Sequence, residues 1–207
     1  MKKIDKLNKN GIFYLRQGYY KFSACKSKNK VFFGYFESAK YFYNIRNELL
    51  EEFTPKEEPL EKNKKIYDEI KNTNSVCVSI RRGDYLSNNF KKDFYICTPE
   101  YFNKAIEIAK YKIQNPKFFV FSDDVQWIKE NMNFPEGTIF EDGNDPVYEK
   151  IRMMYSCKNF IISNSTFSWW AQYLSRNNNK VVIAPSKWRN TGYYKDIYQD
   201  KWIKVDI

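Results

Sequence analysis

A chain of 207 residues, 43% of them hydrophobic and with a formal charge of +10, is long enough to bury one sizeable core and too evenly mixed to be disordered. It contains no histidine, which excludes Ser-His-Asp and Cys-His catalysis and every histidine-bearing zinc site. Any proton transfer falls to a carboxylate, Lys, Tyr, Cys or the substrate itself. The basic surplus points to an acidic partner: a phosphorylated small molecule or an anionic membrane met peripherally. Nucleic acid is disfavoured, since no basic-helix or zinc module appears.

Four cysteines (Cys25, Cys77, Cys97 and Cys157) are spaced neither as a zinc site nor as a disulfide scaffold. The Met1-Lys2-Lys3 start lacks the apolar segment of a signal peptide, and no apolar run is long enough to span a bilayer. These features predict a cytoplasmic protein. Aromatic residues make up 19% of the chain, so a lone Tyr or Phe is read as packing.

Residues 1–30 are rich in Lys and Asn and weakly patterned. Within 37–53, Tyr41, Phe42, Ile45, Leu49 and Phe53 recur at helical spacing, and Pro55 and Pro59 end that helix. A charged helix is predicted over 61–71, closed by the turn Asn72-Thr73-Asn74. Val76 to Ile80 then reads as a strand buried on both faces, halted by Arg81-Arg82-Gly83-Asp84. A loop over 86–97 leads to a helix that Thr98 caps and Pro99 opens, with Phe102, Ala105, Ile106, Ala109 and Ile113 as its core stripe. Phe118 to Phe121 is the second strand; Ser122-Asp123-Asp124 ends it and opens a helix carrying Val125, Ile128 and Met132. A short strand over 138–140 ends in an acidic turn, 141–145, and a helix over 146–156 follows. Asn159–Ile162 is a strand, and Ser163-Asn164-Ser165-Thr166 opens a helix with Phe167, Trp170, Ala171 and Leu174 on one face. Residues 181–184 form the last strong strand, and the tail with Trp202-Ile203 docks.

Strands alternating with helices from residue 75 onward predict an α/β fold with a parallel sheet covered by helices. The division expected is 1–74 as an amino-terminal helical segment and linker, and 75–207 as a Rossmann-like domain.

Three strand ends could share one ligand, because in open α/β sheets the crevice lies beyond the carboxyl ends of the strands. Arg81 and Arg82 offer a guanidinium fork for phosphate, with Gly83 allowing close approach; the alternative is an exposed turn paired to nearby acids. Ser163-Asn164-Ser165-Thr166 opens a helix whose amide N–H groups favour an anion; the alternative is ordinary N-capping. Ser122 caps a helix or lines a site, and Asp123 or Asp124 could accept hydrogen bonds from a base or sugar. Adjacent aspartates are not an Asp-x-Asp pair, and the 141–145 turn lacks the full calcium-loop pattern. No metal or other cofactor is therefore expected, the arginines supplying the charge.

Val78-Ser79-Ile80-Arg81-Arg82-Gly83-Asp84-Tyr85 resembles the first signature of the alpha-1,2-fucosyltransferases, glycosyltransferase family 11. Phe119-Val120-Phe121-Ser122-Asp123-Asp124 resembles the second block. The segment from Ile161 through Ser163-Asn164-Ser165-Thr166-Phe167-Ser168-Trp169-Trp170-Ala171 resembles the third. Gly34-Tyr35-Phe36-Glu37-Ser38 and Ala184-Pro185-Ser186-Lys187-Trp188 also fit. The resemblance implies a GT-B architecture, GDP-L-fucose as donor, and inverting, metal-independent transfer to a galactose hydroxyl of a glycan. It implies that Arg81 and Arg82 hold the donor diphosphate, helped by Ser165 and Thr166. Gly83, Ser122, Asp123, Asp124, Asn164 and Trp169 would complete the substrate site. Arg81 and Asp84 are the candidate catalytic residues, Asp84 as an in-chain base; the alternative is that Asp84 only orients the arginines.

Two departures stand out. The family's usual histidine two residues before the first arginine is Ser79 here, on the same side of the strand as Arg81. Its glycine-rich opening, Gly-Gly-Leu-Gly-Asn-Gln, has no counterpart before Gly34, so most of the amino-terminal half is expected to be missing. The enzyme reading leads; the alternative is a truncated, catalytically weak GDP-sugar-binding module. A third is a binder of nucleic acid or an anionic surface.

Overall fold

The computed structural model describes residues 7–15, 18–21, 26–192 and 194–207; Cys25 and the Met1-Lys2-Lys3 start lie outside them. The chain divides into two compact units, residues 1–46 with 192–200, and residues 47–191 with 201–207.

In the first unit, β1 (Ile12–Tyr14) and β2 (Val31–Phe33) pair in parallel. Their rings stack across the pair, Phe13 on Phe32 at 5.2 Å and Tyr14 on Phe33 at 5.6 Å. The single helix expected over 37–53 is broken. Two 3-10 turns, Ala39–Tyr41 and Tyr43–Ile45, precede α1 (Arg46–Glu52). The break falls at Phe42, whose backbone (φ −132°, ψ 18°) leaves the helical region.

The second unit holds a six-stranded sheet. Its strands are β3 (Asn74–Ile80), β4 (Pro116–Ser122), β5 (Ile139–Phe140), β6 (Asn159–Ile162), β7 (Val182–Pro185) and β8 (Ile203–Val205). They lie in the order β5-β4-β3-β6-β7-β8, and each pair is parallel. The tail expected only to dock thus adds the edge strand β8. The order steps outward one way from β3 through β4 to β5 and the other way through β6, β7 and β8. That makes a doubly wound sheet whose switch point lies between β3 and β6.

The helices are α2 (Lys64–Asn72), α3 (Lys91–Phe94), α4 (Pro99–Lys112), α5 (Val125–Asn131), α6 (Val147–Ser156) and α7 (Thr166–Leu174). Val76, Val78, Phe118, Val120, Ile161 and Ile183 share a core with Phe102, Ala105, Ile106 and Ala109 of α4 and Ile128 of α5. The alternate positions, such as Cys77, Phe119 and Phe160, are equally buried and face the other way. On that side β3 contacts α2 and α6, and α6 packs on α7. Both faces are covered, which is why the strands read as unbroken apolar runs.

Helix α6 is fixed by a buried carboxylate. Glu149 is fully buried, and its Oε1 accepts from Leu60 N (3.1 Å), Asn63 Nδ2 (3.2 Å) and the Tyr67 hydroxyl (3.1 Å). Arg152, also buried, pairs with it at 3.1 Å. On α7 the inward face differs from expectation. Ser168, Trp169, Ala171, Gln172, Tyr173 and Leu174 are buried, whereas Phe167 and Trp170 are half-exposed. Polar Ser168 turns in to meet other hydroxyls, and Trp170 stacks instead on Phe53 at 5.2 Å.

Candidate active site

The carboxyl ends of β3, β4 and β6 are neighbours in the sheet, and a cleft of about 440 Å³ opens beyond them. That volume lies within the range of small-ligand sites. Arg81 and Asp84 after β3, Ser122 and Asp123 at the end of β4, and Ser165 and Thr166 after β6 all line it. The three strand ends singled out in the sequence therefore do meet.

Arg81 is held from two sides. Its Nε and Nη2 lie 3.0 and 2.8 Å from Asp84 Oδ1, and its Nη1 lies 2.9 Å from Asp123 Oδ2. Asp123 is itself fixed by the Arg82 backbone N–H at 2.9 Å. Gly83 makes this possible by size: a Cβ there would stand 2.5 Å from Asp123 Oδ2. Tyr85, also in the cleft, donates its hydroxyl to the Asn164 carbonyl at 3.1 Å. Burial, reinforced by Asp84 and opposed by Arg81, pushes its phenol up to about 12. It serves as a neutral donor at ordinary pH.

Five of the expected site residues lie outside the lining: Gly83, whose part is the close approach of Asp123, and Arg82, Asp124, Asn164 and Trp169. Arg82 is turned away from Arg81, its side chain only 8% exposed. Its guanidinium sits 3.1 Å from the Trp127 ring centroid and its Nε bonds Asp124 at 3.1 Å. Asp124 is thereby engaged too. Asn164, 2% exposed, donates from Nδ2 to the carbonyls of Phe94 (3.0 Å) and Trp188 (2.9 Å) and accepts from the Cys97 thiol. Both amide hydrogens are used, so Asn164 is a strut between loops. Trp169 is buried and stacked on Tyr173 at 4.9 Å.

The start of α7 favours the anion reading over simple capping. Ser165 has the extended backbone of an N-cap, yet its side chain makes no capping bond. The first-turn amides and the positive end of the helix remain available to a ligand. Beneath them, Ser168 Oγ lies 2.6 Å from Ser79 Oγ and 3.1 Å from Ser163 Oγ, giving the cleft a hydroxyl floor. Ser79 and Arg81 do share the cleft, as strand alternation implies.

Lys150 was missed in the sequence. It lines the cleft from α6, with Val147 and Met154 on the same helical face. Its Nζ lies 3.4 Å from Glu141 Oε2. The i, i+3, i+7 spacing was the available signal, but a lysine on an amphipathic helix reads first as solvated. Nearby, Glu141, Asp142 and Asp145 bring carboxylate oxygens within 4.8 Å of one another. Two lysines offset part of that charge, Lys62 reaching Asp145 at 2.6 Å and Lys150 approaching Glu141 at 3.4 Å. Among the described residues no helix is long and apolar enough to cross a membrane.

The chain matches the model of the family described as Glycosyl transferase family 11 over residues 3–206. It is 36% identical over 182 residues to the Alpha-1,2-colitosyltransferase of Escherichia coli, covering 84% of this chain and 62% of that one. It is 31% identical over 198 residues to the O-antigen biosynthesis glycosyltransferase WbnK of Escherichia coli, covering 90% and 66%. A Galactoside 2-alpha-L-fucosyltransferase of Caenorhabditis elegans is 31% identical over 202 residues, covering 90% and 51%. The chain thus spans between about half and two thirds of the length of these relatives. Among solved structures, NodZ alpha-1,6-fucosyltransferase co-crystallized with GDP overlays at a TM-score of 0.39 and 15% identity, covering 64% of this chain and 58% of that one. An overlay that partial supports no reading of the site.

Proposed function

The chain belongs to glycosyl transferase family 11, and we propose that its cleft binds GDP-L-fucose, or a GDP-linked sugar close to it, for transfer to a galactose hydroxyl of a glycan. The observation that carries this reading is the position of Arg81 and the uncapped start of α7 in one cleft at the switch point of a doubly wound sheet. A diphosphate is the ligand chemistry that such a pairing of guanidinium and helix N-terminus suits.

In this reading Arg81, the Ser165 and Thr166 hydroxyls and the first amides of α7 hold the diphosphate. Ser122 and Asp123, in the same lining, reach the nucleoside or the sugar hydroxyls. During transfer the bond from the sugar C1 to the phosphate oxygen breaks, and a bond from C1 to the acceptor oxygen forms with inversion. Negative charge then grows on the departing phosphate, where Arg81 and the helix dipole stabilise it. The acceptor proton passes to a carboxylate; Asp84, half-exposed beside Arg81, is our candidate base. No metal or cofactor enters this scheme. A cytoplasmic setting, with the basic surplus meeting an anionic membrane peripherally, belongs to the same proposal.

The test is calorimetry with GDP, followed by incubation with GDP-fucose or GDP-colitose and a panel of galactosides, with the product linkage read by NMR. Binding with transfer supports the proposal. Binding without transfer makes the protein a GDP-sugar-binding module, and a folded chain that binds no GDP sinks the reading.

A further inference from the structure

Building on the reading that the cleft takes a GDP-sugar, we propose that Lys150, not Arg82, is the second cation that holds the donor diphosphate. Two adjacent arginines looked like a ready fork, but their side chains diverge. Arg82 is buried against Trp127 and Asp124 and does not line the cleft. Arg81 remains, and two carboxylates, Asp84 and Asp123, already contact it. One positive charge against two negative leaves that edge of the cleft net negative. A diphosphate bound there needs a further cation, because like charges close together in a partly buried site repel strongly.

Lys150 is the other cationic residue in the lining. It enters from α6, on the face that carries Val147 and Met154, and its side chain is 19% exposed. Its present partners are loose ones. Glu141 Oε2 is 3.4 Å away and the Gly143 carbonyl 3.5 Å, both beyond ordinary N–H···O length. Neither carboxylate oxygen of Glu141 accepts a hydrogen bond, although the residue is only 3% exposed. An ammonium has three donors. It can stay within reach of Glu141 and still turn a hydrogen toward an arriving phosphate. Glu141 would then hold the stem of the lysine at the cleft wall while the head changes partner.

Calorimetry on the full chain, with GDP and with inorganic pyrophosphate, tests this; guanosine, followed by ligand-observed NMR, reports the base side alone. Lys150→Gln is expected to weaken GDP and pyrophosphate about tenfold, as loss of one charge-assisted contact should. Guanosine binding should be unchanged and the salt dependence of GDP binding shallower. Lys150→Arg should keep most of the affinity. Should the glutamine variant misfold, Lys150→Met retains the packed stem and removes only the charge. Unchanged GDP affinity in a folded charge-removing variant overturns the assignment, as does an equal loss for guanosine, which would mark a structural effect. A wild-type chain that binds no GDP instead refutes the underlying reading of the cleft.

Discussion

Asn164 lies in the segment that most resembles a sugar-nucleotide motif, yet its contacts predict a stability role. Consider Asn164→Ala. The change removes the donors to two carbonyls, Phe94 O and Trp188 O, at a residue that is 2% exposed. A buried acceptor left without its donor costs about 1–3 kcal/mol; the Phe94 carbonyl keeps the Ile96 N–H at 2.9 Å, so the loss falls mainly on the Trp188 carbonyl and should total about 1–3 kcal/mol. The weak thiol contact from Cys97 adds little. For a chain of 207 residues each kcal/mol lowers the melting temperature by about 2–4 °C, so the variant should melt roughly 2–12 °C lower. At a temperature where it remains folded, GDP affinity should stay within about threefold of wild type, since the side chain does not reach the cleft. Differential scanning calorimetry beside isothermal titration measures both. An unchanged melting temperature with GDP binding lost would refute the reasoning, because Asn164 would then be a ligand-contacting residue.

Three further outcomes follow from the site. Arg81→Ala should weaken GDP about tenfold or more with little loss of stability, while Arg82→Ala should do the reverse; equal effects in titration would contradict their separation. Arg81→Lys should rescue only partly, because a point charge cannot bridge Asp84 and Asp123 as the planar guanidinium does. GDP affinity should be nearly the same in excess chelator and in excess magnesium, and a large loss in chelator would overturn the metal-free scheme.

A fourth concerns alkaline pH. Burial raises both the Tyr85 phenol and the Cys97 thiol to about 12 in the folded chain, from ordinary values of 10.0 and 9.0. The unfolded chain therefore loses these protons first. The stability they contribute is complete below pH 9 and is lost as pH rises from there through about 12. Tyr85→Phe and Cys97→Ala should each flatten the fall of denaturation midpoint over that window. Parallel curves for wild type and both variants would contradict it.

The sheet was legible because Val76 to Ile80 and Phe118 to Phe121 are apolar on both faces, which only a covered parallel sheet explains. Strand order was not, since it depends on which way each helix crosses over. β8 was missed because three residues, one of them a lysine, carry too little pattern. Meeting of the strand ends was legible from the general rule for α/β crevices, but not which side chains enter. Adjacent residues in extended chain point in opposite directions, so alternation alone warns against putting both Arg81 and Arg82 in one site. The partners that hold these side chains outside the cleft lining, Trp127 for Arg82 and Phe94 and Trp188 for Asn164, are distant in sequence. The face of α7 was misread because hydrophobicity placed Trp170 inward, whereas Ser168 belongs to a hydroxyl group contributed by three separate segments.

Glu149 and Lys150 are neighbours on α6 with opposite duties, one locked into the stretch from Leu60 to Tyr67 and the other aimed at the cleft. Successive helical residues are about 100° apart around the axis, so one residue inserted before α6 would put Glu149 where Lys150 stands, and one deleted would put Lys150 where Glu149 stands. The insertion would bring a carboxylate to the phosphate side; the deletion would drive an ammonium toward Asn63 and Tyr67. The acidic turn at 141–145 therefore lacks the freedom of length that surface connections ordinarily enjoy. It works as a spacer of fixed length, and its count of residues is as much a part of the cleft as any side chain in it.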